Sequence, residues 1–331
     1  MSKALVECVP NFSEGRDERV VEAIVAAMRV DGVSLLDLAM DAGTNRSVIT
    51  LAGPPEAVVE AAVRGVGKAA ELIDLTRQQG EHPRIGAADV IPFVPIRGMR
   101  LEQCVLLARQ AGQAIWQRCG IPVYFYEAAA ARPDRANLDN VRQGQFEGLR
   151  EQVRKEAARR PDLGGPGLHP TAGACAVGAR KLLVSYILTF DSADVSLVRA
   201  MARELRSASS GLKDIRAMGG LVDGRAQLTL NIADLDATPI SRVFAGVSRL
   251  ALRHRAAMVE GRITGLVPEA ACERESEWMR HLTGFDPETK ILERRLERPL
   301  PWPGAELRQT QSGTVVPAAG FAGASVEAVP E

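Results

Sequence analysis

Of the four histidines in this 331-residue chain, His82 is the one whose neighbours could set it to work. It lies in the run Gly80-Glu81-His82-Pro83-Arg84-Ile85-Gly86-Ala87. A following proline keeps His82 out of the helical region and holds it extended or in a turn. Glycines on either side let a ligand or a neighbouring chain approach the backbone closely. An imidazole held this way can take up and return a proton near neutral pH. A loop histidine can equally do no more than hydrogen-bond its neighbours, and spacing alone leaves both readings open.

Two other polar segments stand out. One is Val9-Pro10-Asn11-Phe12-Ser13-Glu14-Gly15, the other Asp41-Ala42-Gly43-Thr44-Asn45-Arg46. Asn11 and Ser13 could meet a ligand or simply cap a helix. Asp41-Ala42-Gly43 could be an ordinary turn. No metal centre is expected from Glu81, His82 and Asp89, because adjacent side chains of an extended segment point to opposite faces and no second histidine is near.

These segments need a scaffold. The pattern predicts a strand at residues 5–9, an amphipathic helix through 20–28, and strands at 33–38 and 47–51. A long helix over 58–73 and a strand at 90–96 complete the unit. The order is β-α-β-β-α-β, the split unit of ferredoxin-like domains. A helix at 101–116 and a strand at 123–126 follow. The charged, alanine-rich stretch 127–162 reads as one or two surface helices, and residues 161–167 read as a boundary or hinge.

The same order then recurs. Strands are predicted at 182–190, 215–218, 227–232 and 256–259, with helices at 193–207 and 239–252. Fold class is therefore α+β: two ferredoxin-like subdomains packed side by side, residues 1–178 and 179–298. The cleft between them is a preferred ligand site. Residues 299–331, rich in proline, glycine and alanine, are read as a disordered tail.

Composition narrows the function classes. Lysine plus arginine balances aspartate plus glutamate at 41 each, so no global charge points to nucleic acid or a membrane surface. No apolar run approaches the ~20 residues that span a bilayer. The first residues meet Glu7 before a signal-like core develops, and five cysteines without a CxxC pair suit a reduced, cytoplasmic protein.

Taken in order, the segments resemble the formiminotransferase family, which also occurs as the first half of the bifunctional formiminotransferase-cyclodeaminase. The matching stretches are Val6 to Gly15, Leu35-Leu36-Asp37, Thr44-Asn45-Arg46-Ser47-Val48, Gly53-Pro54-Pro55-Glu56, and the His82 loop from Gly80 to Ala87. Val123-Tyr124-Phe125-Tyr126, Gly178-Ala179-Arg180-Lys181 and Gly265-Leu266-Val267-Pro268 continue the match. The resemblance covers about residues 3–296. It implies a folate tunnel between the subdomains, a general-base histidine at His82, and a homodimer. It implies transfer of a formimino group from N-formiminoglutamate to N5 of tetrahydrofolate, a step of histidine breakdown. It also places a folate-contacting loop at Gly164, Gly165, Pro166, Gly167, Leu168, His169, Pro170, Thr171, Ala172 and Gly173. Mammalian members carry a carboxylate two residues after the one matching Asp37, where this chain has Ala39. Asp41 is the nearest substitute.

The implied reaction sets its own demands. A cationic amidine develops no oxyanion on addition, so a nearby carboxylate helps more than an oxyanion hole would, and Asp41 is assigned that role. One neutral histidine can take the proton from the attacking nitrogen and return it to the departing amine. Carboxylates on the donor call for planar guanidinium groups, for which Arg46 and Arg84 are the candidates. Asn11 and Asn45 are taken as ligand contacts. A polyglutamylated folate tail would favour a basic groove at Arg180 and Lys181, with Arg206, Lys213 and Arg216 alongside. Formylglutamate or formiminoglycine as donor, and folate binding without turnover, are the competing readings. No helical face follows Arg298, so a cyclodeaminase is expected as a separate protein.

Overall fold

The computed structural model describes residues 4–303 except 81, 208, 209, 214 and 273–275. It is a mixed α+β structure built on two sheets. The first half begins β1 (Leu5–Cys8), β2 (Asn11–Phe12), α1 (Glu18–Ala27), β3 (Ser34–Asp41), β4 (Arg46–Gly53), α2 (Pro55–Leu72) and β5 (Ala88–Arg97). It continues through α3 (Leu101–Cys119), β6 (Val123–Glu127), α4 (Leu138–Arg142), α5 (Gln145–Lys155) and β7 (Cys175–Ala179). Local chemistry sets the helix ends. The Asp17 carboxylate accepts from Arg19 N at the start of α1, and prolines open α2. Gly120, at φ +67°, closes α3 in the left-handed conformation.

In the first sheet β3 pairs with β4, and β4 with the broken strand β1–β2, which pairs in turn with β5; all are antiparallel. β7 and β6 then extend the sheet beyond β5 in parallel. Helices α1, α2 and α3 cover one face. Val6, Cys8, Phe12, Ile49, Leu51 and Phe93 meet Val21, Ile24, Val58, Val66 and Ile115 there in one buried core.

The opposite face is covered in two places. Towards one end, Leu138 and Val141 of α4 with Leu149 and Val153 of α5 pack on Val90, Tyr124, Tyr126 and Ala176. Towards the other, Leu36, Ala52 and Ile96 meet Leu182, Leu266, Leu292 and Leu296 from the second half. Half-buried Asn11, Asp37, Ala39 and Val48 belong to neither patch.

The second half runs β8 (Val184–Phe190), α6 (Val195–Arg206), β9 (Ile215–Val222), β10 (Arg225–Ile232), α7 (Ile240–Arg253) and β11 (Met258–Thr264). Three short helices follow: α8 (Glu277–Arg280), α9 (Pro287–Lys290) and α10 (Leu292–Glu297). The sheet order is β11-β8-β10-β9, antiparallel throughout. Val198, Met201 and Leu205 of α6 and Val243, Phe244 and Val247 of α7 fill its core with Tyr186, Leu188 and Leu228.

Three expectations need correction. Residues 161–167 do not mark the boundary between the halves: Leu163 pairs with Val123, and the chain then supplies β7, an inner strand between β5 and β6. The strand escaped notice because Cys175-Ala176-Val177-Gly178-Ala179 is made of small residues with little β propensity. They are required there, since a Cβ on Gly178 would lie 2.5 Å from the Tyr126 ring. Stretch 127–162 is more than a surface appendage, because α4 and α5 bury apolar residues on the open sheet face. The tail begins ordered. Leu300 pairs with Leu35, and Leu300 and Trp302 pack on the first core. The rest of the expected disordered tail, 304–331, lies outside the described residues.

Candidate active site

The ends of β2, β4 and β5 converge below the histidine loop. Asp89, at the start of β5, is fully buried and organises the cluster. Its Oδ1 accepts from Ile85 N at 2.8 Å, which fixes the loop after His82. Its Oδ2 receives Arg46 Nη1 at 2.9 Å and Arg142 Nη2 at 2.5 Å. Burial alone would raise the Asp89 pKa, but Arg142 and Arg46 together hold it at about 2. Arg46 also donates through Nε and Nη2 to Asn11 Oδ1, at 3.2 and 3.0 Å. Among the described residues these bonds use three of its five N–H groups. Arg142 Nε is sealed from solvent with no partner among the described residues.

His82 Nδ1 lies 2.8 Å from the Pro83 carbonyl oxygen. A carbonyl only accepts, so Nδ1 carries the hydrogen and Nε2 keeps its lone pair. Desolvation, then the positive charges of Arg46 and Arg142, lower the His82 pKa from 6.5 to about 4. The ring is therefore a neutral base at physiological pH.

The loop at 164–173 runs beside this one. Gly86 pairs with Gly173, Ala174 N donates to Ile85 O, and Ala87 N donates to Ala172 O. No side chain fits at Gly86, where a Cβ would overlap the Ala174 carbonyl. His169 Nδ1 accepts from Ala172 N at 3.0 Å, so its hydrogen is on Nε2, the reverse of His82. Pro166 follows a cis peptide bond, and Gly164 packs against Trp116. Leu168 touches the core, Thr171 O accepts from Leu75 N, and Gly165, Gly167 and Pro170 complete the turns.

Other expected site residues have partners within the protein. Asp41 is exposed, and its Oδ1 accepts from Thr44 N and Oγ1, closing the turn before β4. Asn45, at φ +49°, ties Gly15 N to its Oδ1 and donates to Gln79 O. Arg84 is buried, with all five N–H groups directed at Gln78, Gln145 and Glu147. It braces the loop from within. Lys181 pairs with Asp234, and Arg180 Nη1 donates to Lys181 O. Two residues were missed as site members. In the sequence Asp89 stands out only as a metal-ligand candidate, and Arg142 reaches it from 53 positions away with no local signal. Among the described residues no cluster of side chains could hold a metal.

Two cavities border these elements. One, of about 470 Å³, lies between the halves and is lined by Pro95, Lys181, Leu182, Asp234, Ile240 and Pro268 among others. The other, of about 360 Å³, adjoins the histidine loop and is lined by Glu14, Arg16, Asn45, Arg77 and Gln79 among others.

Residues 5–180 match the family described as formiminotransferase domain, N-terminal subdomain, and residues 193–281 match the formiminotransferase domain itself. The chain belongs to the formiminotransferase family. It is 39% identical to a glutamate formimidoyltransferase of Streptococcus pyogenes, over 88% of this chain and 98% of that one. It is 41% identical to the Thermoplasma acidophilum protein of the same name, over 89% and 98%. Against the mouse formimidoyltransferase-cyclodeaminase it is 36% identical, over 87% of this chain and 59% of the longer protein. The formiminotransferase described here is thus a transferase, and no helix among its described residues is long and apolar enough to cross a membrane.

Proposed function

We propose that this formiminotransferase moves the formimino group from N-formimino-L-glutamate to N5 of tetrahydrofolate, releasing L-glutamate, with His82 as the proton-transferring group. The observation that carries this is the state of the His82 ring: neutral, with Nδ1 tied to Pro83 O and Nε2 left as acceptor, next to two arginines. His82 Nε2 takes the proton released by the attacking nitrogen and returns it to the departing glutamate nitrogen. Arg46 and Arg142 suit a substrate carboxylate, and an anion bound on them would offset the positive field that lowers the His82 pKa. The base would then strengthen when the substrate is in place. Asp89 holds both arginines in position. Asp41 is a weaker choice for the carboxylate facing the amidinium, since its acceptors already serve Thr44.

The same reading takes the two β-α-β-β-α-β units as ferredoxin-like subdomains, which their strand orders support. The cavity between the halves supports a ligand passage there, and Lys181 in its lining would meet a glutamate tail. A homodimer in the cytoplasm completes the reading. The test is an assay of purified protein with tetrahydrofolate and formiminoglutamate, run beside formylglutamate and formiminoglycine. Stoichiometric glutamate release with formiminoglutamate is expected; faster turnover of either alternative would reassign the donor.

A further inference from the structure

Glu7 sits in β1 between Val6 and Cys8, whose side chains both enter the helix-side core. Strand alternation turns Glu7 to the opposite face, the one that carries Asn11. It is 4% exposed. Among the described residues no hydrogen-bond or ion-pair partner reaches its carboxylate. Its oxygens are not among the described atoms sealed from solvent without a partner, so they border open space. A buried, unpaired carboxylate is costly, and burial raises its pKa to about 7 against the opposing pull of Arg180.

Arg180 follows β7, anchored by its N–H on Phe93 O. Its guanidinium acts electrostatically on both Glu7 and Tyr126, yet no ion pair among the described residues joins it to Glu7. Two opposite charges near each other and left unjoined mark a gap that a polar ligand can bridge. The gap lies at a set distance from the reacting groups. Glu7 precedes Asn11 by four positions, ~13 Å along a strand at ~3.3 Å per residue. Asn11 bonds Arg46, whose charge acts on His82. That span is too long for Glu7 to share a proton with His82, but a fused bicyclic ring with side chains reaching in from both ends fills it.

We propose that Glu7 and Arg180 bind the 2-amino-4-oxo edge of the tetrahydrofolate pteridine ring. Glu7 accepts from the two adjacent N–H groups and Arg180 donates to the neighbouring carbonyl oxygen. This rests on tetrahydrofolate being the acceptor substrate. A carboxylate presents two acceptors in one plane, matching a planar N–C–N edge with two parallel donors. The amidine of a formimino donor also has such N–H groups but no carbonyl oxygen in their plane for Arg180. With that edge held, the second ring and its N5 extend towards Asn11 and His82.

The experiment compares wild type with Glu7→Gln, which keeps the shape but faces one ligand N–H with a donor. Tetrahydrofolate and its 2-desamino-2-methyl analogue are titrated against both proteins, with wild-type turnover of formiminoglutamate measured in parallel. For Glu7→Gln, Kd for tetrahydrofolate should rise at least tenfold while the melting temperature stays within a few degrees. Removing the 2-amino group should weaken binding to wild type at least tenfold and to Glu7→Gln by less than threefold, a coupling that a purely structural role would not produce. Wild-type binding with a Glu7→Gln Kd within twofold of it, or equal losses for the analogue in both proteins, would overturn this assignment alone. A wild type that bound no tetrahydrofolate would overturn the substrate reading and this assignment with it.

Discussion

The two halves of the chain repeat one element order but fill their interiors differently. In the first, Glu7, Arg46, Arg84, Asp89 and Arg135 are charged side chains no more than 7% exposed. In the second, the buried polar side chains among the described residues are Thr189 and Thr238. The second half shows that a sheet of this topology packs with an almost wholly apolar interior. Buried charges add no dependable stability, because desolvation offsets most of their attraction. The Asp89 cluster is therefore best explained by what it positions, not by what it holds together.

The strongest way to break the contrast is Asp89→Ala. Removing one partner from a buried ionic cluster leaves Arg46 and Arg142 uncompensated, and a loss of ~3–5 kcal/mol is expected by urea unfolding. Turnover should fall with it. A loss below 1 kcal/mol would show that the arginines are already neutralised by other groups.

His82→Ala should leave the melting temperature nearly unchanged and lower kcat by ~100- to 10,000-fold. A variant that retained more than about a tenth of wild-type kcat would remove the base assignment.

The pH dependence sharpens the comparison, because His82 and Glu7 act with opposite sign. The His82 pKa falls from 6.5 to about 4 on folding, so its contribution to stability is complete above 6.5 and lost as pH falls through 4. The Glu7 pKa rises from 4.5 to about 7, so its contribution is complete below 4.5 and lost as pH rises through 7. The two partly cancel between pH 4.5 and 6.5. Melting temperature should then climb with pH across that window more steeply in Glu7→Gln than in wild type, and fall with pH in His82→Ala. Parallel curves for the three proteins would contradict both shifts.

The smallest effect belongs to the second half. Thr189, on β8, accepts from Gln227 Nε2 at 3.2 Å in an otherwise apolar setting. Thr189→Val should change stability by no more than ~1 kcal/mol and leave kcat unaltered, as thermal and kinetic measurements can check. A tenfold drop in kcat would mean that the second half does more than pack against the first.

Element type was readable wherever the chain carries its own period. The alternation of β10, with Ala226, Leu228, Leu230 and Ile232 buried, and the apolar stripe of α7 mark themselves within a few residues. The His82 loop declared itself because proline and glycine act on their immediate neighbours. β7 did not, since an inner strand of small residues has neither β-branched bulk nor alternation. Arg84 and Asp41 stand out by residue type, but nothing local in the sequence marks Glu147 and Thr44 as their partners.

The sequence by itself determined most strands and helices, β7 excepted, and that His82 sits in a stiff loop, because each depends on residues a few positions apart. Only the tertiary structure decided that Asp89 would join Arg46 and Arg142 across 43 and 53 positions, and that Glu7 would be buried with no partner among the described residues. Burial of the ring, then the charges of Arg46 and Arg142, set the His82 imidazole neutral. They depend on desolvation and on distances across the sheet, which no local pattern of residues records.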